Sequence, residues 1–382
     1  MAVIVASFNV ENMFRRPIAF NQSTWAQGKP ILEAFSAFQL LLEQPTYSNA
    51  DKKAILKHLK AFGLLKSDEG PMVILRRSRG QLVRRPRTGP VEVIASGRGD
   101  WIGWLELKRE AVNELATRNT ARVIGDIKPD VLCIVEAEDR PALCRFNEDV
   151  FGFEQAKRPA KKDQWTFQHI LLVDGNDDRG IDVGLMSRRG YDIESVRSHV
   201  DDVNSKGETI FSRDCPEFVV VTPQGNRMLV MVNHFKSKGF GDQDDNDRRR
   251  RAQARRVAAL YAERRADGFQ HVVVAGDLND EPDSGPLKAL LQDTDLQDVS
   301  TLGSPAFDDG GRTGTFKGTS TKFDYLLCSL ALLALVKKAA IFRKGVWRGP
   351  KTKNPWPIYD TMTAEQHAAS DHAAIWADIA LS

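Results

Sequence analysis

His271 to Pro282 reads HVVVAGDLNDEP. Four apolar residues, three of them β-branched, run directly into Gly276, Asp277, Asn279 and Asp280. Such a run predicts a buried strand. A strand that ends in acids and amides delivers polar side chains to a sheet edge. Outward from this segment the pattern repeats. AVIVASF (2–8) leads into Asn9, Glu11 and Asn12, and VLCIVEA (131–137) brings Glu136 and then Glu138. RMLVMVNH (227–234) closes on Asn233 and His234, FDYLLCS (323–329) contains Asp324, and AAIWADI (373–379) follows Asp371 and His372. Three further apolar runs, FQHILLV (167–173), DVGLMS (182–187) and EFVVVT (217–222), also predict strands.

Helices are expected at 31–44, at 49–65 with Ser48 or Asn49 as N-cap, at 106–127 before Pro129, at 247–266 and at 286–292. Many strands with few intervening helices predict an α/β protein with two sheets packed face to face. There is no repeat and no low-complexity linker, so the expectation is one domain over 1–382 with an elaboration at about 15–105.

The formal charge of +3 and the 42% hydrophobic content are ordinary for a globular chain. No apolar run approaches membrane-spanning length, and the N-terminal residues lack the basic and apolar regions of a secretory signal. The four cysteines form no CxxC pair, which argues against a zinc ribbon or a dithiol redox site. A reducing, cytoplasmic location is the expectation that follows.

Each polar strand end taken alone has an ordinary reading as a turn or a helix N-terminus. Asp324 is harder to dismiss, because a carboxylate inside an apolar strand needs a partner. Taken jointly, acids, amides and histidines recur where strands reach one edge. Carboxylates such as Glu11, Glu136 and Asp371 suit Mg²⁺ or Mn²⁺. Two histidines with acidic neighbours suit proton handling and neutralisation of phosphate charge.

The ordered set FNVEN, PDVLCIVEAED, VNHFKSKG, GDLNDEP, FDYLL and SDH resembles the endonuclease/exonuclease/phosphatase superfamily, in its bacterial form. That superfamily includes DNase I-like nucleases, abasic-site endonucleases, inositide 5-phosphatases, sphingomyelinases and deadenylases. The resemblance implies a four-layer α/β sandwich of two mixed β-sheets with flanking helices. It implies that Glu136 is the principal metal ligand, supported by Asn9, Glu11 and Asp371. It assigns His372, held by Asp324, to proton transfer and His234 to the phosphate, with Asp182 as the partner orienting His234. Asp277 would activate water and Asn279 would stabilise the transition state. Asn233 and Arg312, the latter in RTGTF (312–316), are expected at the substrate. An R-x-x-QA pattern within Arg249 to Ala254 also resembles the family. Ala374 departs from it, standing where SDH-x-P is frequent.

Substrate class is less determined, because one core serves several phosphate esters. Between Arg76 and Arg98 there are seven arginines against one acid, Glu92, which predicts a basic hairpin. A second basic stretch, FRKGVWRGPKTKNPW (342–356), precedes SDH. Trp101, Trp104, Trp347 and Trp356 are candidates for stacking on bases. The expectation is a metal-dependent nuclease with DNA or RNA as partner. The alternative is a phosphatase or phosphodiesterase for a small-molecule, inositide or lipid phosphate.

Overall fold

The computed structural model describes the chain except residues 1, 12, 14–17, 20–24, 110–112, 162–163, 178, 240–241, 308, 350–354 and 382. It forms two compact units. One comprises Met1–Phe14, Val112–Lys238 and Asp242–Ser382, the other Arg15–Ala111 and Gly239–Gly241. The chain opens with β1 (Val3–Asn9). The smaller unit then contributes α1 (Trp25–Leu42), α2 (Asn49–Ala61), β2 (Val73–Arg79), β3 (Val83–Arg84), β4 (Glu92–Val93) and β5 (Ile102–Leu107). The larger unit resumes with α3 (Glu114–Ile127), β6 (Val131–Ala137), α4 (Arg140–Arg145), α5 (Gly152–Ala156), β7 (His169–Val173), β8 (Asp182–Ser187), β9 (Asp192–Arg197), β10 (Glu217–Val221) and β11 (Arg227–His234). It ends with α6 (Gln243–Ala266), β12 (Val272–Asp277), α7 (Lys288–Leu291), β13 (Gln297–Asp298), β14 (Asp324–Cys328), α8 (Leu330–Leu333), β15 (Val336–Phe342) and β16 (Ala374–Ile379).

The larger unit holds two six-stranded sheets, ordered β15-β16-β1-β6-β8-β7 and β13-β14-β12-β11-β10-β9. Each is mixed, with one parallel pair near its middle, β1 with β6 and β11 with β12. One apolar cluster takes residues from both sheets, among them Val5, Cys133, Leu185, Val230, Val273 and Leu326, and fills the space between them. A second cluster packs the outer face of the first sheet against α3, and a third packs the outer face of the second sheet against α6 and α7. Helix, sheet, sheet and helix therefore form four layers. The central strands β1, β6, β8, β11, β12 and β14 are buried nearly throughout. Burial on both faces is why they read as continuous apolar runs and not as alternating ones.

The strands expected at 131–137, 182–187 and 227–234 are β6, β8 and β11. The helix expected to start at 106 begins at Glu114, where the Asn113 side chain caps the Ala116 N–H. The residues before it are strand β5. Its exposed and buried positions alternate, and it pairs with β2, so the WIGWLEL run follows a period of two. Strands β9 and β15 were not foreseen. Both lie at sheet edges and carry charged residues, which blunt edges but erase the hydropathy signal. The smaller unit buries its own core, including Phe38, Leu59, Val73, Trp101 and Leu105. There Ser48 opens α2 with a reciprocal capping box to Asp51.

Gly276 has φ +129, and a Cβ there would lie 1.9 Å from the Asn233 carbonyl oxygen. The register sets Gly276 opposite Asn233 and Asp277 opposite His234. Gly276→Ala is expected to destabilise the protein by more than about 3 kcal/mol, since both the backbone conformation and the space exclude a side chain. Denaturant unfolding measures this. A loss under about 1 kcal/mol would show that β11 and β12 separate more freely than this register allows.

Candidate active site

Strand alternation explains how the site is assembled. Val5, Val232, Ala275 and Leu326 belong to the core between the sheets. Positions two residues or a multiple of two away share their face. Asn9, His234, Asp277 and Asp324 therefore continue the inter-sheet core at one end, replacing apolar side chains with polar ones. All four are 2% exposed or less. Glu136 lies on the other parity of β6. The β6–β8 register slips between Val135 and Ala137, and Glu136 has φ +62. This bulge re-aims its carboxylate toward the same end.

The cluster is tightly connected. His372 Nδ1 lies 2.7 Å from Asp324 Oδ2. Asp277 Oδ2 lies 3.8 Å from Nε2 of His372 and 3.8 Å from Nε2 of His234. His234 Nε2 is also 3.5 Å from Glu136 Oε1. The Asn9 amide donates to Asp277 Oδ2 at 3.2 Å, and the Asn279 backbone N–H donates to Asp277 Oδ1 at 2.8 Å. The Asn279 side chain donates to the Phe235 carbonyl at 3.1 Å. Glu11 accepts the Asp371 N–H at 3.0 Å, and its own N–H donates to Asn9 Oδ1 at 3.0 Å. Asp371 Oδ1 is 3.8 Å from His372 Nε2.

Burial separates the two histidines electrostatically. For His234 it disfavours the charged ring, and the Arg213 and Arg179 guanidiniums add to this, so its pKa falls well below the ordinary value. For His372 burial acts in the same direction, but the Asp324 and Asp277 carboxylates outweigh it and hold the ring well above the ordinary value. Asp277 is pushed up to about 7, first by burial and then by Asp324, against the pull of His372. Burial also raises Glu136, opposed by His372 and Arg179.

Three expected site residues make other contacts. Asn233 alternates with His234 and so faces away from the inter-sheet core, and its amide donates to the Met231 carbonyl at 3.4 Å. Arg312 is bound by Asp309, with Nη2 to Oδ1 at 2.6 Å. Asp182 accepts the Gly175 N–H at 2.8 Å. Its other oxygen and His234 Nδ1 are both buried without a hydrogen-bond partner, so the two residues do not bond each other. Asn12 lies outside the described residues, as does part of the 342–356 stretch. Within that stretch Trp356 is buried and donates to the Val346 carbonyl. Arg343 is buried with Asp309 and backbone carbonyls. Trp101 is buried as well and Trp347 is half-buried, which leaves Trp104 as the most exposed of the four candidate stacking residues.

Sequence reasoning missed several supports. Thr315, fully buried in RTGTF, accepts the backbone N–H groups of Phe323 and Asp324 at 3.1 and 3.0 Å, fixing the start of β14. Phe316 packs its ring 4.9 Å from His372. Asp177 binds Arg179 at 2.7 Å and the buried Arg213 at 2.8 Å. Arg213 also donates to the Phe235 carbonyl, the acceptor that Asn279 uses. In α6, Arg250 pairs with Asp280 at 2.9 Å and donates to the Lys236 carbonyl, while Gln253 accepts the Lys236 N–H. The R-x-x-QA pattern thus clamps the loops after β11 and β12. A hydroxyl inside a Thr-Gly-Thr run or an arginine in RGID carries no distinguishing local signal.

Two mixed sheets within four layers, closed at one end by carboxylates, amides and a carboxylate-bound histidine, define a DNase I-like phosphoester hydrolase. Residues 92–354 match the sequence profile of the Endonuclease/Exonuclease/phosphatase family, and the chain belongs to that family. Among solved structures it is similar to truncated Caenorhabditis elegans TDP2 (17% identity, 70% of this chain and 91% of that one, TM-score 0.44). It is also similar to a mannosyl-6-phosphatase of Bacteroides thetaiotaomicron (17%, 69% and 90%, TM-score 0.48). A third similar structure is an endonuclease/exonuclease/phosphatase from Bacteroides vulgatus (14%, 70% and 91%, TM-score 0.47). Among curated proteins no sequence match was found.

Two outcomes follow from these contacts. Thr315→Val leaves two buried N–H groups without an acceptor, and a loss of about 1–3 kcal/mol is expected in chemical denaturation, with a lower kcat. An unchanged kcat in the folded variant would mean that Asp324 is positioned without this hydroxyl. The second concerns Asp182, pushed up to about 7 by burial. Its folded pKa lies above the unfolded value of about 3.9, so the folded state binds the extra proton. The contribution of this carboxyl to stability is therefore greatest at low pH and is lost as pH rises through about 7. In Asp182→Asn this slope disappears, so Tm measured from pH 5 to about 8 should favour the variant increasingly. Parallel profiles would show that the carboxyl is not held protonated.

Proposed function

We propose that the protein is a metal-dependent nuclease that hydrolyses phosphodiester bonds of DNA or RNA by in-line attack of water. The observation that carries this reading is one carboxylate, Asp277, set 3.8 Å from each of two histidines whose surroundings displace their pKa values in opposite directions. Groups whose environments push their pKa values apart mark the acid and base of a reaction.

Asn9, Glu11, Glu136 and Asp371 offer only oxygen donors. The Glu136 carboxyl is held at a buried end crowded with carboxylates, where a hard divalent cation relieves the charge. Asp277, Asp324 and His372 also bring ligand atoms within 4.8 Å of one another. Of these, Asp324 and His372 are already paired with each other, so Glu136 and Asn9 are the better ligands. When bound, Mg²⁺ or Mn²⁺ supplies Lewis-acid polarisation of the phosphoryl group and neutralises developing charge.

The remaining work falls to the chain's own side chains. Asp277, whose pKa of about 7 suits a base near neutral pH, takes the proton of the attacking water. Asn9 and the Asn279 backbone orient its two oxygens. His372, charged and fixed at Nδ1 by Asp324, offers its Nε2 proton toward the phosphate or the leaving oxygen. His234, neutral, donates from Nε2 without adding charge. Arg179 and Arg213 extend a positive field behind it, which suits a polyanionic substrate. Asp182 buttresses the Gly175 turn in place of orienting His234.

The test is cleavage of labelled single- and double-stranded DNA and RNA with Mg²⁺ or Mn²⁺, with EDTA and His372→Ala as controls. The expectation is metal-dependent cleavage that falls by about 10²–10⁴-fold in the variant. Turnover of small phosphate esters alone, with every nucleic acid intact, would sink the nuclease reading in favour of a small-molecule, inositide or lipid phosphate.

A further inference from the structure

The overall charge of +3 conceals a segregation. Residues 15–111 contain 17 Lys and Arg against nine Asp and Glu, a net charge of +8. The remaining residues carry 37 against 42, a net charge of −5. An ordinary solvated surface intersperses both signs. Here the smaller unit is strongly basic while the catalytic unit is acidic.

The arginines of β2 to β5 divide into two sets. Arg76 pairs with Glu106, Arg84 with Glu92, and Arg85 with Asp68, and Arg98 donates to the Gly103 carbonyl. These contacts brace the unit internally. Arg77, Arg79 and Arg87 are exposed and make no hydrogen bond or ion pair among the described residues. Arg77 lines an open cavity of about 350 Å³ with Gln81, Arg84, Arg85, Trp101 and one carboxylate, Asp68, which is taken up by Arg85. Trp104 stands cross-strand from Arg76, and Ile102 from Arg79, at 43% and 37% exposure. The register sets Arg77 opposite Gly103, on the face of Leu75 and the cavity, and Arg79 opposite Ile102, on the face of Trp104, so the two-stranded ribbon presents unpaired guanidiniums on both faces and an exposed indole beside Arg79.

We propose that this β2–β5 surface is a second binding site, for the sugar–phosphate backbone and bases of single-stranded nucleic acid. Phosphate is the counter-charge that best fits guanidinium, which meets its oxygens in a planar fork, and seven arginines with no lysine occupy Arg76 to Arg98. The indole supplies a face on which any base stacks, so the site tolerates sequence. An acidic protein partner would use the charges but leave the exposed ring without a flat partner. The site goes beyond the hydrolytic centre but rests on the nuclease reading for the identity of its polymer. Its role is to hold substrate chain outside the reacting bond.

The experiment is fluorescence anisotropy of a labelled single-stranded oligonucleotide with the full-length protein in EDTA, where binding proceeds without cleavage. A triple variant, Arg77→Ala with Arg79→Ala and Arg87→Ala, is expected to reduce the slope of log K against log salt by about 2, at about 0.7 per lost phosphate contact. Trp104→Ala is expected to weaken binding about tenfold with the slope retained. All these side chains are exposed, so folding is preserved, and turnover of a small phosphodiester serves as the check. Lys53→Ala with Lys57→Ala and Lys60→Ala on α2 removes equal charge from the same unit and should leave most of the binding intact. The inference is overturned if the arginine variant keeps wild-type affinity and slope, if the lysine variant loses as much, or if anionic vesicles bind the surface and oligonucleotides do not. Oligonucleotide binding that depends on these arginines, with no cleavage on adding metal, removes the nuclease reading alone. Cleavage with unaltered binding by the arginine variant removes this inference alone.

Discussion

Asp324 and His372, 2.7 Å apart and almost out of contact with water, form the interaction on which the rest of the site depends. Asp324 begins β14 in one sheet, and His372 precedes β16 in the other. The pair therefore exists only when the sandwich is closed. Two ionisable groups taken out of water are costly unless each meets its partner in good geometry. The surroundings supply that geometry from several directions. Thr315 anchors the backbone of Asp324, Phe316 packs against the imidazole, and the Ser370 hydroxyl accepts the His372 N–H.

Backbone conformation concentrates at the same place. Glu11, Glu136, Asn279 and Lys317 all have positive φ, as does Gly276. Each such non-glycine residue costs on the order of 1–3 kcal/mol and persists only where its surroundings dictate it. For Glu136 the dictating element is the bulge in β6. For Asn279 it is the pair of hydrogen bonds to Asp277 and Phe235. Lys317 donates its N–H to the Asp371 carbonyl and so ties the RTGTF segment to SDH.

Beyond the ring of reacting groups, the chain separates its charges. Arg250, buried in α6, neutralises Asp280 and fastens the two loops that follow His234 and Asp277. Arg213 and Arg343 of the same unit are likewise buried against carboxylates and backbone carbonyls. The smaller unit leaves several of its arginines open to solvent. Charge that stabilises structure and charge that remains available for a ligand are thus distinguished by their partners, not by their number.

Much of this protein was legible in its sequence, because burial on both faces forces continuous apolar runs and the residues that interrupt them at strand ends are conspicuous. The runs containing β6, β8 and β11 and the polar ends at Asn9, His234, Asp277 and His372 follow from local hydropathy alone. Tertiary structure decided what local pattern does not encode. It turned Glu136 through a bulge, sent Asn233 to the opposite face from His234, bound Arg312 to Asp309, and left Asp182 without a bond to His234. It also made Thr315 and the Asp177–Arg179–Arg213 group part of the site. Hydropathy specifies which residues leave water, a property of each segment. Which polar groups then meet depends on register, bulges and distant contacts, which exist only once the two sheets have packed.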